Sequence, residues 1–462
     1  DVSALNPEGK IPTPHVDRLA KEGMVFTDAH SGSAVCSPTR YGVLTGRYAW
    51  RTRLASGVLQ GADPPLIAAE RLTVPKLLKA KGYHTAMVGK WHLGWYWAKQ
   101  GGGTVSSGDE IEQIDYTKPI SGGPLDIGFD YYFGIVASLD MPPYVYVENN
   151  LPTAVADTTK KYLREGPAAS SFEAVNVLPD FTKKAIAYLD ARAKEPGTPF
   201  FLYMPLNSPH TPIVPSAEWQ GKSGLNDYGD FTMQTDAAVG EVIAALERNG
   251  QLDNTLIIFT SDNGCSPSAD YPVLEEKGHD PSYVFRGHKA DIFEGGHHIP
   301  FLVRWPGRVA AGSESDQTIC LTDLLATCGD IVGADVPDNA GEDSVSILPA
   351  LLGKADAPLR EATVHHSING SFAIRRGNWK LALCPGSGGW SAPRPGRDDE
   401  SGLPPLQLFD LSKDIGEETN LQDQHPELVK ELTALLQGYI DNGRSTPGAP
   451  QKNDREVSTA KK

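Results

Sequence analysis

Basic residues are in short supply: 42 Lys and Arg stand against 58 Asp and Glu, for a net charge of -16. That balance argues against nucleic-acid binding, which needs a basic face. Long apolar runs are also missing, and nothing approaches the roughly 20 residues of a membrane-spanning helix. No basic leader with an apolar centre opens the chain; it starts Asp1-Val2-Ser3 and reads as entered partway. Five cysteines in 462 residues are too few and too scattered for a disulfide framework. No segment repeats.

What is present has the texture of a large α/β protein. The length exceeds what one core usually fills, so a large domain with a smaller one is expected. Pro199–Met204, Thr255–Thr260 and Pro300–Trp305 are short continuous apolar runs, as in strands buried on both faces. Between such runs, Leu72–Lys81, Pro179–Lys194 and Phe231–Asn249 have helical period. Alternating strands and helices predict an α/β sandwich around a large, mostly parallel sheet over residues 1–354. Residues 355–442 change to short alternating strands and one helix, Pro426–Asp441, which predicts a small C-terminal α+β domain. Residues 443–462 are polar, with Pro, Gly and Lys, and predict a disordered tail.

Ligands gather beyond the carboxyl ends of parallel strands, and several chemical groups fall there. Lys90 and His92 follow the strand Tyr83–Val88; alternate residues of an extended segment share a face, so both can meet one ligand. His210 lies in Ser208-Pro209-His210-Thr211-Pro212, where flanking prolines hold the loop as a proton donor requires. Asp262-Asn263 pair a carboxylate with an amide oxygen, the donors that hard divalent cations take. His297-His298 raise a zinc site, but no Cys/His pattern surrounds them. Each feature alone also fits a solvated side chain or an ordinary turn.

Together they have a more specific meaning. Cys36-Ser37-Pro38-Thr39-Arg40 with Thr45-Gly46-Arg47, Gly89-Lys90-Trp91-His92-Leu93-Gly94 and Glu294-Gly295-Gly296 resemble, in order, the motifs of the type I sulfatases. These are formylglycine-dependent, arylsulfatase A-like enzymes of the alkaline phosphatase superfamily. The resemblance runs from about Pro12 to Leu421.

It implies a sulfuric ester hydrolase acting on a sulfated carbohydrate or an aryl sulfate. A maturation enzyme would oxidise Cys36 to formylglycine, whose hydrate is the nucleophile. Arg40 would hold that hydrate, Lys90 and Lys289 would bind sulfate, and His92 and His210 would move protons. Asp262, Asn263 and the modified Cys36 would bind calcium, with magnesium as the alternative. Asp140 and His365 would touch substrate. The family also implies a periplasmic or extracellular location. One family feature is absent: no Asp-Asp pair precedes Cys36, so an N-terminal metal-binding strand is missing from this sequence. Two other readings therefore stand beside the first. One is a sulfated-glycan binding protein with an impaired metal site. The other is a phosphatase or phosphodiesterase of the same superfamily.

Overall fold

Three apolar segments set up the first sheet in this computed structural model, which describes residues 1–459. Phe200–Tyr203 runs parallel to His84–Lys90, with Leu202 opposite Ala86. His84–Lys90 runs parallel to Tyr131–Ile135, with Val88 opposite Phe133. The short strands Val147–Glu148 and Leu151–Pro152 add antiparallel, making five. A parallel sheet needs helices over its faces; Val177–Arg192 packs on these strands and on the long helix Asp227–Arg248. Asn226 caps that second helix, its side chain accepting from the Gly229 amide at 3.1 Å. These elements belong to a compact unit made of Asp1–Arg18, Leu59–Leu256 and Ser268–His279.

A second unit contains Leu19–Val58, Ile257–Pro267 and the chain from Asp280 onward. Its four-stranded sheet has the order Ile257–Thr260, Phe301–Arg304, Met24–Phe26, Ser313–Ser315, antiparallel except for the last pair. The helix Cys36–Thr45 is buried along its whole length and packs on Leu321–Val332. Gly46 ends it at φ 64, and its amide donates to the Gly42 carbonyl at 2.8 Å. A Cβ there would lie 2.9 Å from Gly341 Cα and Ser344 Cβ, so both the left-handed turn and the close approach require glycine.

In the same unit, Thr363–His366, Phe372–Arg376, Trp379–Ala382 and Gln407–Asp410 form an antiparallel sheet in chain order. The helix Pro426–Asp441 lays Leu432, Leu436 and Ile440 against Val364, Ile374, Leu381 and Leu408. All five cysteines are free thiols. No described helix is long and apolar enough to cross a membrane.

The α/β class is as expected, with three differences in detail. The strands and helix after residue 355 form, yet they group with Leu19–Val58 and Ile257–Pro267 rather than standing apart from residues 1–354. The expected disordered tail is instead bound as far as it is described. Arg47 and Arg51 are fully buried, and they take the Lys452 carbonyl, Asp454 and Asn453 as acceptors. A buried guanidinium needs such partners, and polar composition does not reveal them; residues 460–462 lie outside the described chain. Finally, Phe200–Tyr203 and Ile257–Thr260 are half-buried edge strands, because an apolar run does not tell an edge from a centre.

Candidate active site

Cys36 is the first residue of its helix, 3% exposed, preceded by Val35 in an extended conformation with no side-chain cap. The amide end of a helix favours negative charge. Arg40, one turn further on the same face, reaches Asp262: Nε and Nη2 lie 2.9 and 2.7 Å from Oδ2. Asp262 follows the strand Ile257–Thr260. Asn263 donates its amide hydrogen to Gly264 O, and its Oδ1 is buried with no hydrogen-bond partner. Lys289 is held between two loops. Its amide donates to Cys265 O at 2.8 Å, and the next amide, Ala290, donates to Ala34 O at 2.8 Å. Cys36, Arg40, Asp262, Asn263 and Lys289 are thus brought together within one unit.

The donors fit a hard cation in kind. Asp262 offers a carboxylate, and the orphaned oxygen of Asn263 is the kind of atom a cation satisfies. They supply two residues' oxygens towards the roughly 6 to 8 of a calcium shell, and an unmodified Cys36 adds none.

In the other unit, Lys90 closes the strand His84–Lys90. Its amide donates to Pro205 O at 2.8 Å. Gly89 makes that approach possible: at φ 144, a Cβ would lie 2.1 Å from Pro205 O. His92 has φ 60, a strained conformation of the sort that persists at functional sites. Its Nε2 donates to Leu59 O at 2.7 Å, which leaves Nδ1 as the basic nitrogen of the neutral ring. His210 donates from Nδ1 to Thr211 O at 2.7 Å, and Asp140 Oδ1 lies 3.9 Å from the same nitrogen. The second Asp140 oxygen is paired with Arg164. Two further polar residues lie just past strand ends in this unit. Ser138 Oγ and both amide atoms of Asn207 are buried without a hydrogen-bond partner, and a buried polar group in that state calls for one. The two residues follow the strands Tyr131–Ile135 and Phe200–Tyr203.

His365 has a different place from the one expected. It is fully buried, with Nδ1 against Ser31 O at 2.9 Å and Nε2 against Thr363 Oγ1 at 3.0 Å. Both nitrogens are committed to the protein, so the ring has nothing to offer a substrate. It stacks on His297 with centroids 3.9 Å apart, and His297 Nδ1 lies 3.1 Å from His30 Nδ1. Ligand atoms of these three histidines lie within 4.8 Å of one another, as a metal site requires.

Two cations already occupy that role. Lys380 Nζ lies 3.0 Å from His297 Nε2, and Arg375 Nη1 lies 2.8 Å from His30 Nε2. Lys380 also meets Glu294 at 3.0 Å and Glu417 at 2.8 Å. Burial drives His297 and His365 well below the usual imidazole pKa. Burial alone would raise Glu294, but the charge of Lys380 and the hydrogen bond from His298 hold it well below the carboxylate range. The cluster is a buried polar core that separate segments of chain assemble, and no local pattern marks it.

Comparisons with known proteins give the family. A family model described as "Sulfatase" matches residues 3–334. N-acetylgalactosamine-6-O-sulfatase of Bacteroides thetaiotaomicron is 33% identical, over 93% of this chain and 88% of its own. Human arylsulfatase A is also 33% identical, over 93% and 83%. A solved structure from work on glycosaminoglycan metabolism by Bacteroides thetaiotaomicron superposes with a TM-score of 0.80 at 32% identity, covering 93% of this chain and 94% of that one.

Proposed function

The chain belongs to the sulfatase family and is a sulfatase, an enzyme that hydrolyses sulfate esters, and from that premise we propose a sulfated carbohydrate as its substrate and formylglycine, made from Cys36, as its working group. The observation that carries the reading is the placement of Cys36 at a helix amide end, one turn from an Arg40 that Asp262 anchors.

Formylglycine hydrate at position 36 would supply one hydroxyl to attack sulfur as the alcohol leaves, and a second whose deprotonation would expel sulfate and restore the aldehyde. Asp262 and Asn263 would help to hold calcium, with magnesium as the alternative, and the ion would supply positive charge against the sulfate. The remaining work falls to the chain's own groups. Arg40 fixes the side chain at position 36 through its planar fork of donors. Lys289 and Lys90, both almost fully buried, neutralise sulfate where low dielectric makes charge count most. His210, tethered through Nδ1, donates a proton from Nε2 to the departing alcohol, with Asp140 beside it. His92 accepts a proton at Nδ1 in the second step. Ser138 and Asn207 offer buried hydrogen-bonding atoms to the bound ester. His365 is left out of substrate contact.

The names of the related enzymes support N-acetylgalactosamine 6-sulfate as the first substrate to assay. A formylglycine-generating maturation enzyme is the required partner. A polymeric substrate places the protein in the periplasm or outside the cell, which fractionation tests. The decisive experiment is mass spectrometry of the Cys36 peptide from a host with the maturation enzyme, alongside sulfate release. An unaltered thiol in an active preparation would overturn the mechanism.

A further inference from the structure

We propose that Trp390 is the stacking platform of a pyranose-binding subsite beside Lys289, held in place by the buried carboxylate of Asp291; the proposal rests on the sulfatase reading above. Trp50, Trp91, Trp95 and Trp97 are fully buried, whereas Trp390 is 41% exposed. An exposed indole on a slack loop would mean little. This loop is not slack.

The amides of Trp390 and Ser391 both donate to Asp291 Oδ1, at 2.7 and 3.0 Å, and the Ser391 hydroxyl donates to Oδ2. Asp291 also accepts from the His288 amide at 3.0 Å. Inside the loop, Ser387 Oγ accepts from Gly389 N at 3.1 Å and donates to Ser391 O at 2.6 Å. Ile292 N donates to Ser387 O at 2.7 Å. A Cβ on Gly389 would lie 2.4 Å from Ala290 O, so the loop rests directly on the residue after Lys289. Ala290 in turn bonds Ala34, two residues before Cys36.

A fully buried carboxylate is costly unless its hydrogen bonds are satisfied. Asp291 satisfies its own by fixing the loop that carries an exposed tryptophan. The trio Ser391, His288 and Asp291 has the residue types of a hydrolase triad, with Ser391 Oγ 3.1 Å from His288 Nε2. The serine hydroxyl, however, gives its hydrogen to Asp291, so the trio acts as a latch. A sugar ring has a flat C–H face, and a rigid indole is the apolar partner that such a face takes at little entropic cost. The chemistry therefore selects a pyranose ring, either the one bearing the ester or its neighbour.

The test compares wild type, Trp390→Ala and Trp390→Phe on N-acetylgalactosamine 6-sulfate, with melting temperature as the check on folding. Expected for Trp390→Ala is a KM about tenfold higher, ~1.4 kcal/mol of binding, with kcat within about twofold and an unchanged melting temperature. Trp390→Phe recovers most of the affinity. An unchanged KM in Trp390→Ala overturns the subsite, and so does a fall in kcat at constant KM. If wild type releases no sulfate, the substrate reading fails on its own account. The subsite is then judged by calorimetric titration of the same sugar: weaker binding by Trp390→Ala than by wild type upholds it, while equal binding, or none by wild type, overturns it.

Discussion

Arg40 Nη2 lies 2.7 Å from Asp262 Oδ2, joining the helix that Cys36 begins to the loop beyond the strand Ile257–Thr260. The arginine side chain is 6% exposed and the aspartate 26%, so the pair is sheltered but not dry. Breaking a buried pair by removing one partner costs roughly 3–5 kcal/mol, and partial exposure of Asp262 reduces that here.

Asp262→Ala is therefore expected to cost about 1–3 kcal/mol of stability and to lower sulfate release at least about 100-fold. Thermal melts and a sulfate assay measure both. Calcium titration should give heat with wild type and none with the variant. Full activity in Asp262→Ala would remove Asp262 from the site.

Cys36→Ala should fold with an unchanged melting temperature and release no sulfate. The side chain is small and adds little packing, while the chemistry depends on it. Assaying sulfate and phosphate esters of one alcohol on wild type separates sulfatase from phosphatase specificity. Preference for phosphate would count against the proposed chemistry.

His210→Ala should slow hydrolysis of a sugar sulfate by about 10²–10⁴. Nitrophenyl sulfate should suffer less, because its leaving group departs without a proton. Equal losses on both esters would assign His210 to binding rather than to proton transfer. Asp140→Asn should give a smaller loss of the same kind.

Glu417 makes a prediction about pH. Burial raises its pKa from 4.5 to about 7; Lys380 opposes the shift, and the Glu294 charge adds to it. A carboxyl whose folded pKa is raised binds more protons in the folded state between these values. Stability from this group therefore falls as pH rises from about 4.5 to about 7. Glu294 has the opposite sign: its pKa is depressed, and its contribution is lost only in acid, below the ordinary carboxylate range. Glu417→Gln should flatten the decline between pH 4.5 and 7, measured as melting temperature against pH. An identical slope in wild type and variant would exclude Glu417 as its source.

Much of the site is legible in short stretches of sequence. Lys90 and His92 lie at the carboxyl end of a strand, Asp262 and Asn263 beyond another, and Arg40 one turn after Cys36. Each relationship spans only a few residues, so residue order and backbone period suffice to read it. His365 shows where that kind of reading stops. A histidine on a short strand looks like a group awaiting a ligand until Ser31, Thr363 and His297 are seen to enclose it. The tail shows the same limit: polar composition suggests disorder, yet two buried arginines draw it in.

Local order in the chain was thus enough for the α/β class, the sulfatase motifs and a set of candidate site residues. Folding across long separations decided which histidines are walled in, which compact unit each segment joins, and that Asp291 holds the loop carrying Trp390. The physical reason is that backbone period and motif spacing act within a few residues. Burial and satisfaction of polar groups instead depend on partners such as Asp291 and Trp390, 99 positions apart along the chain, that only the folded packing selects.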